Sequence, residues 1–155
     1  MDITTITVAL TSAAAIAGGA TACITAIRGL RAAVRPLSAR AGLQWAVFHG
    51  GTHEAEAISF ITSAKAAGYR APARIVMGQA AGAAAAGVVG AKAVVLWRPT
   101  QEHVDVLLPI LREAAPDAVV MVYTTERLAV QLGERLLLAN SALRLRGDLG
   151  VVAEA

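Results

Sequence analysis

Leu43-Gln44-Trp45-Ala46-Val47-Phe48-His49-Gly50-Gly51-Thr52-His53 is the stretch on which the fold turns. Leu43–Phe48 is a short apolar run containing two aromatic residues, the pattern of a strand buried on both faces. The Gly50-Gly51 pair breaks that run, and Thr52 is placed to cap a helix extending to about Ala67. Glu54 and Glu56 fall in its first turn, where the helix dipole favours negative charge. Ile58, Phe60 and Ile61 supply a buried side, and Gly68 stands where a helix C-terminal glycine belongs. Strand, tight turn and helix in such close succession are the opening of a βα unit.

The alternation continues downstream. Arg74–Met77 is a second strand, and Gln79–Gly90, almost entirely Ala and Gly, reads as a thin helix or tight coil packed close to its neighbours. Ala93–Trp97 is a third strand. Gln101–Ala114 follows as a helix with Val104, Leu107, Leu108 and Leu111 at core-face spacing. Pro109 inside it removes a backbone donor and predicts a kink or a restart. Ala118–Tyr123 is a fourth strand. Glu126 to about Arg146 reads as one long helix carrying Leu128, Leu132, Leu136, Ala139 and Leu143 on one side. Leu137, Leu138 and Leu145 widen that stripe toward a subunit contact. The tail Asp148–Ala155 is expected as an edge strand or a loose end. Four strands separated by helices predict an α/β domain, a small open parallel sheet of Rossmann-like layout with right-handed crossovers, over residues 43–155. No internal repeat of fixed period is present.

The chain's 155 residues suffice for one domain with a real core. Its composition is 56% hydrophobic and only 16% charged, against about 25% charged in typical domains. Lipid or extensive self-association has to account for the difference. No charged residue occurs between Asp2 and Arg28, so Ile3–Ile27 exceeds the roughly 20 residues that cross a bilayer. Thr4, Thr5, Thr7, Thr11, Ser12, Thr21 and Thr25 dilute this segment, while Ala14, Gly18, Ala22 and Ala26 form a small-residue face suited to helix–helix contact. A cleaved signal peptide fits poorly, because the positive charges follow the apolar run. Arg28, Arg31, Arg35 and Arg40 behind it predict a single-pass anchor in the cell membrane, N-terminus outside and domain cytoplasmic. A buried helix in a soluble oligomer is the alternative. Residues 1–27 are thus the anchor or assembly helix, and 28–42 a basic connector containing Pro36 and Gly42.

Several function classes are disfavoured. The single Cys23 excludes a disulfide framework and a cysteine zinc site. The net charge of +3 is concentrated in the connector, so the domain has no basic face for a nucleic-acid duplex.

Ligands of open parallel sheets bind beyond the carboxyl ends of the strands. Those ends nominate His49, Gly50, Gly51 and Thr52 after the first strand and Gly78 and Gln79 after the second. Arg98 and Thr100 follow the third strand, and Thr124 and Thr125 the fourth. Paired glycines let backbone approach a ligand, helix-opening amides face an anion, and Arg98 can meet it bidentately. The expected ligand is a small, nucleotide-like anion. No phosphate-loop or dinucleotide fingerprint occurs, and a plain strand-to-helix turn has the same composition. His49 and His53 are four apart but do not share a helix face, so no metal is implied. Thr52 beside a histidine forms no recognisable nucleophile motif, and no catalytic residue or cofactor is assigned. The leading expectation is a membrane-anchored oligomeric sensor or effector, self-associating through its N-terminal helices and Leu-rich C-terminal helix. A scaffolding subunit without ligand is one alternative. An enzyme acting on a nucleotide-like substrate, with Glu126 or a histidine as acid–base group, is another.

Overall fold

The computed structural model describes residues 36–129 and 135–155. Strands β1 (Trp45–His49) and β3 (Ala93–Trp97) are buried at every residue. Both therefore need a layer of helix on each side. Between and beyond them run β2 (Ala73–Val76), β4 (Val119–Tyr123) and β5 (Leu136–Ala139), and the sheet order is β2-β1-β3-β4-β5 with every pair parallel. The helices flanking the strands, among the described residues, are α1 (Glu54–Ala66), α2 (Ala81–Val88), α3 (Gln101–Ala114) and α4 (Ala142–Glu154).

Alternation along the strands sorts the side chains into two cores. Trp45, Val47, Ala93, Val95, Trp97 and Met121 pack with Ala57, Phe60, Ile61 and Ala64 of α1 and Leu145 and Leu149 of α4. Ala46, Phe48, Val94, Leu96, Val120 and Val122 pack on the opposite face with Ala84 and Val88 of α2 and Leu107 and Leu111 of α3. The thin helix expected from the Ala/Gly run is α2, and its lack of side chains is used. A Cβ on Gly87 would stand 2.5 Å from Ile75 Cδ1, so glycine is what lets α2 lie against β2. Helix α3 has the bounds its periodicity predicts and runs through Pro109 without a restart.

Five expectations are corrected. The sheet has five strands, because the long helix expected from Glu126 to Arg146 does not exist. Leu136–Ala139 is strand β5, and a fresh helix starts after Ser141, whose hydroxyl accepts the Arg144 amide at 3.2 Å. The single leucine stripe is accordingly broken up: Leu136 lies buried in the sheet while Leu143 is 72% exposed on α4. The tail joins α4, which includes Gly147 and Gly150, since burial of Leu145 and Leu149 outweighs weak helix propensity. Thr52 caps nothing; Gly51–His53 forms a single 3-10 turn and α1 begins at Glu54 with no side-chain cap. Ile58, expected in the core, is exposed.

Residues 36–42 are helical, including Pro36, and Arg40 ties this stretch to the end of α1. Its Nη1 donates to the Ala67 carbonyl at 3.4 Å, and its guanidinium stacks over the Tyr69 ring at 5.5 Å. The expected membrane segment, Ile3–Ile27, lies outside the described residues. Among the described residues, no helix is long and apolar enough to cross a membrane.

Tyr69 closes this lower end of the core. Its ring meets Trp45 edge-on at 6.4 Å and its hydroxyl donates to the Arg146 carbonyl at 3.4 Å. A Cβ on Gly150 would stand 3.1 Å from that hydroxyl, so α4 approaches as a glycine allows. Burial raises the phenol above its ordinary value of 10.0, with Glu154 adding to the rise and Arg40 and Arg146 opposing it. The folded state thus keeps this proton when the unfolded chain has lost it. Its stabilising contribution is complete below about pH 10 and is lost as pH rises through the folded-state value. Urea denaturation near pH 7 and pH 11 should show the alkaline loss of stability shrinking in Tyr69→Phe. At neutral pH that substitution should cost no more than about 1 kcal/mol, the worth of one long hydrogen bond.

Candidate functional site

The chain leaves β1 toward β2 on one side and later returns to place β3 on the other. The loops after β1 and β3 therefore diverge, opening a crevice at the carboxyl edge of the sheet between the two central strands. In the doubly wound order 2-1-3-4-5 this switch point is where ligands bind.

A cleft of about 130 Å³ occupies that position, lined by Gly50, Thr52, Arg98, Thr100, Thr124 and Thr125 among others. These six are residues nominated from the sequence, brought together from three strand ends. His53, Met77, Pro99, His103 and Glu126 complete the lining. The other nominated positions stand elsewhere. Gly51 is exposed in the 3-10 turn, and Gly78 and Gln79 form the exposed turn after β2. His49 is 2% exposed and shares the α1/α4 face of the sheet with Trp45 and Val47. Residue alternation past Phe48 carries that signal: a side chain two after Val47 points with it.

Arg98 is the most informative member. Its φ is 46°, the only positive value among the described residues other than glycine. Holding a branched-at-Cβ-free but long L-side chain in the left-handed region still costs about 1–2 kcal/mol. Its amide continues the ladder by donating to the Tyr123 carbonyl at 2.8 Å, so the backbone is pinned. Nε lies 3.2 Å from Glu56 Oε2, yet the angle is not that of a hydrogen bond, and this buried N–H has no acceptor among the described residues. Glu56 also stands 3.8 Å from His53 Nδ1. The cleft therefore holds one guanidinium in a charge contact with its donor capacity unspent.

Helix α3 opens onto the same cleft through a capping box in which histidine replaces the usual acid. Thr100 Oγ1 accepts the His103 amide at 3.3 Å, and His103 Nδ1 accepts the Thr100 amide at 3.3 Å. The same Nδ1 lies 2.9 Å from Thr100 Oγ1, which donates to it. Nδ1 used twice as an acceptor places the imidazole proton on Nε2. The Gln101 side chain staples the loop after β4 to α3: its amide nitrogen donates to the Ala129 carbonyl at 3.2 Å, and its oxygen accepts the Ala129 amide at 2.9 Å. Thr124 Oγ1 accepts the Glu126 amide at 3.0 Å, which shapes the remaining wall. Among the described residues, no group of three or more His, Cys, Asp or Glu is placed to hold a metal ion.

On the α1/α4 face, Val76, His49, Trp97 and Tyr123 stand at matched positions of β2, β1, β3 and β4. They form a row immediately beneath the rim. His49 Nδ1 and Trp97 Nε1, adjacent in that row, are both buried without a hydrogen-bond partner among the described residues.

Comparison of the chain with known protein families, with curated proteins and with solved structures finds no match. The site's chemistry is therefore read from its own geometry. Thr100→Ala should remove the cap of α3 and lower stability by about 1 kcal/mol. Urea denaturation checks the stability. Loss of slow-exchanging amides confined to the first turn of α3 distinguishes the cap from a core defect.

Proposed function

We propose that the α/β domain is a ligand-receiving module whose cleft at the β1/β3 switch point binds the anionic group of a small molecule. The observation that carries this reading is Arg98 held at φ 46° at the end of a central strand. Glycine would relieve the strain at that position, so the guanidinium has to be worth more than the conformation costs. Its guanidinium, the hydroxyls of Thr52 and Thr125, and the N-terminus of α3 border the cleft and are the partners a carboxylate or phosphate group seeks. The cleft's about 130 Å³ falls well below the 300–1,000 Å³ of pockets enclosing whole drug-sized ligands. It suits one such group rather than a complete nucleotide. Glu56 and Glu126 set the local balance: the ligand joins or displaces Glu56 at Arg98 rather than entering an open field of positive charge. The scaffolding alternative draws on that same ion pair, since Arg98 bound to Glu56 and nothing else is a structural contact.

Coupling of this domain to a membrane-anchored oligomer is the larger reading, and its support is the uncharged stretch Ile3–Ile27 with the arginines that follow. A ligand transmits its state only by favouring one arrangement of such helices over another.

Arg98→Gly is the discriminating variant. It exchanges strain relief of about 1–2 kcal/mol for a partly exposed ion pair worth about 0–1 kcal/mol, so folding stability should equal the parent's or exceed it by up to about 2 kcal/mol. Binding of inorganic phosphate, measured by calorimetry, should fall at least about tenfold. Unchanged phosphate binding, or none in the parent chain, defeats the anion reading. For the anchor, the full chain should remain in the pellet after alkaline carbonate extraction of cell membranes; its appearance in the supernatant rejects a spanning segment.

A further inference from the structure

A second concavity opens on the α1/α4 side of the same rim. It measures about 480 Å³, within the range of ligand pockets. Its inner wall is aromatic. Phe60 and Trp97 have ring centroids 5.0 Å apart, and Trp97 and Tyr123 4.2 Å apart, each pair inclined by 36°. Phe60 and Trp97 are 5% and 3% exposed, whereas Tyr123 is half-buried and offers its ring to the groove. Trp97 lines the groove, and its buried Nε1–H lacks an acceptor among the described residues. The mouth is polar, with the hydroxyls of Ser59 and Ser63, the Glu56 carboxylate and the Arg146 guanidinium, which donates to Ser63 Oγ at 3.1 Å.

An aliphatic chain would satisfy the apolar wall and leave the polar mouth unused. A flat ring bearing its own acceptors and donors satisfies both. The groove and the cleft also share their boundary. Trp97 and Tyr123 line one while their chain neighbours Arg98 and Thr124 line the other, and Glu56 of the groove is the ion-pair partner of Arg98 in the cleft. The cleft and the groove thus lie on either side of a single ion pair, Arg98 to Glu56 at 3.2 Å.

We infer that the groove receives a planar heteroaromatic ring and that the ligand of this rim is a nucleoside monophosphate, its base on Tyr123 and its phosphate at Arg98. The phosphate half rests on the anion reading of the cleft; the ring half stands on the groove alone.

Calorimetry on the full chain with AMP, GMP, CMP and UMP, with inorganic phosphate, and with the four uncharged nucleosides tests this. At least one monophosphate should bind about tenfold or more tightly than phosphate or its own nucleoside. Tyr123→Leu should weaken that nucleotide about tenfold, the scale of one lost base–aromatic stack, and leave phosphate binding unchanged, while Tyr123→Phe retains it. Leu143→Trp, at a position 72% exposed where folding is insensitive, should block the groove with the same signature. Monophosphates binding no better than phosphate, or indifferent to both Tyr123→Leu and Leu143→Trp, overturn the ring site and leave the anion reading standing. Nucleoside binding without any phosphate contribution keeps the ring site and overturns the anion reading.

Discussion

A parallel strand whose side chains are buried on both faces requires helices above and below it, and Trp45–His49 and Ala93–Trp97 are two such strands side by side. Right-handed crossovers put a helix on one face when the chain steps one way along the sheet and on the other face when it steps back. Satisfying both faces therefore forces the chain to reverse direction between β1 and β3. The crevice at their carboxyl ends is the geometric residue of that reversal. The Ala/Gly composition of α2 belongs to the same solution, because Gly87 lets the helix lie against Ile75 on the outermost strand.

Three of the four buried side-chain nitrogens without a partner among the described residues stand at the carboxyl rim. Arg98 holds an unfavourable backbone conformation there, and buried N–H or ring-nitrogen atoms of Arg98, Trp97 and His49 go without partners among the described residues. Each unpaired buried group costs on the order of 1–3 kcal/mol, a substantial share of the 5–15 kcal/mol net stability of ordinary domains. The fourth such atom, Arg40 Nε, lies at the opposite end of the core beside Tyr69. The ion pair from Arg98 to Glu56 joins the two concavities of this rim into one surface.

Much of this arrangement was legible beforehand. Ala93–Trp97 and Gln101–Ala114 have the limits read from their apolar run and their 3.6-residue period, because burial on two faces and on one face leave different patterns. The rule placing ligands at strand carboxyl ends brought six nominated residues into one cleft. The C-terminal third was misread for a definable reason. Leu136-Leu137-Leu138-Ala139 is four apolar residues without alternation, which fits a buried strand and a helix stripe equally. The discriminating signal was Asn140-Ser141, with Ser141 capping a new helix. Thr52 failed as a cap because Gly51 admits a 3-10 turn that postpones α1 to Glu54. His103 passed unnoticed as a cleft residue, since a histidine completing a capping box has no sequence signature of its own.

The sequence by itself determined the α/β class, the parallel sense of the sheet, and the candidacy of the loops at Gly50, Arg98 and Thr124, since hydrophobic period and turn residues are local properties. Tertiary structure alone decided the fifth strand, the strand order, the left-handed backbone at Arg98, and the side-by-side placement of His49, Trp97 and Tyr123. Those depend on which strand pairs with which and in what register, and that choice is made by packing two cores at once across residues distant in the chain.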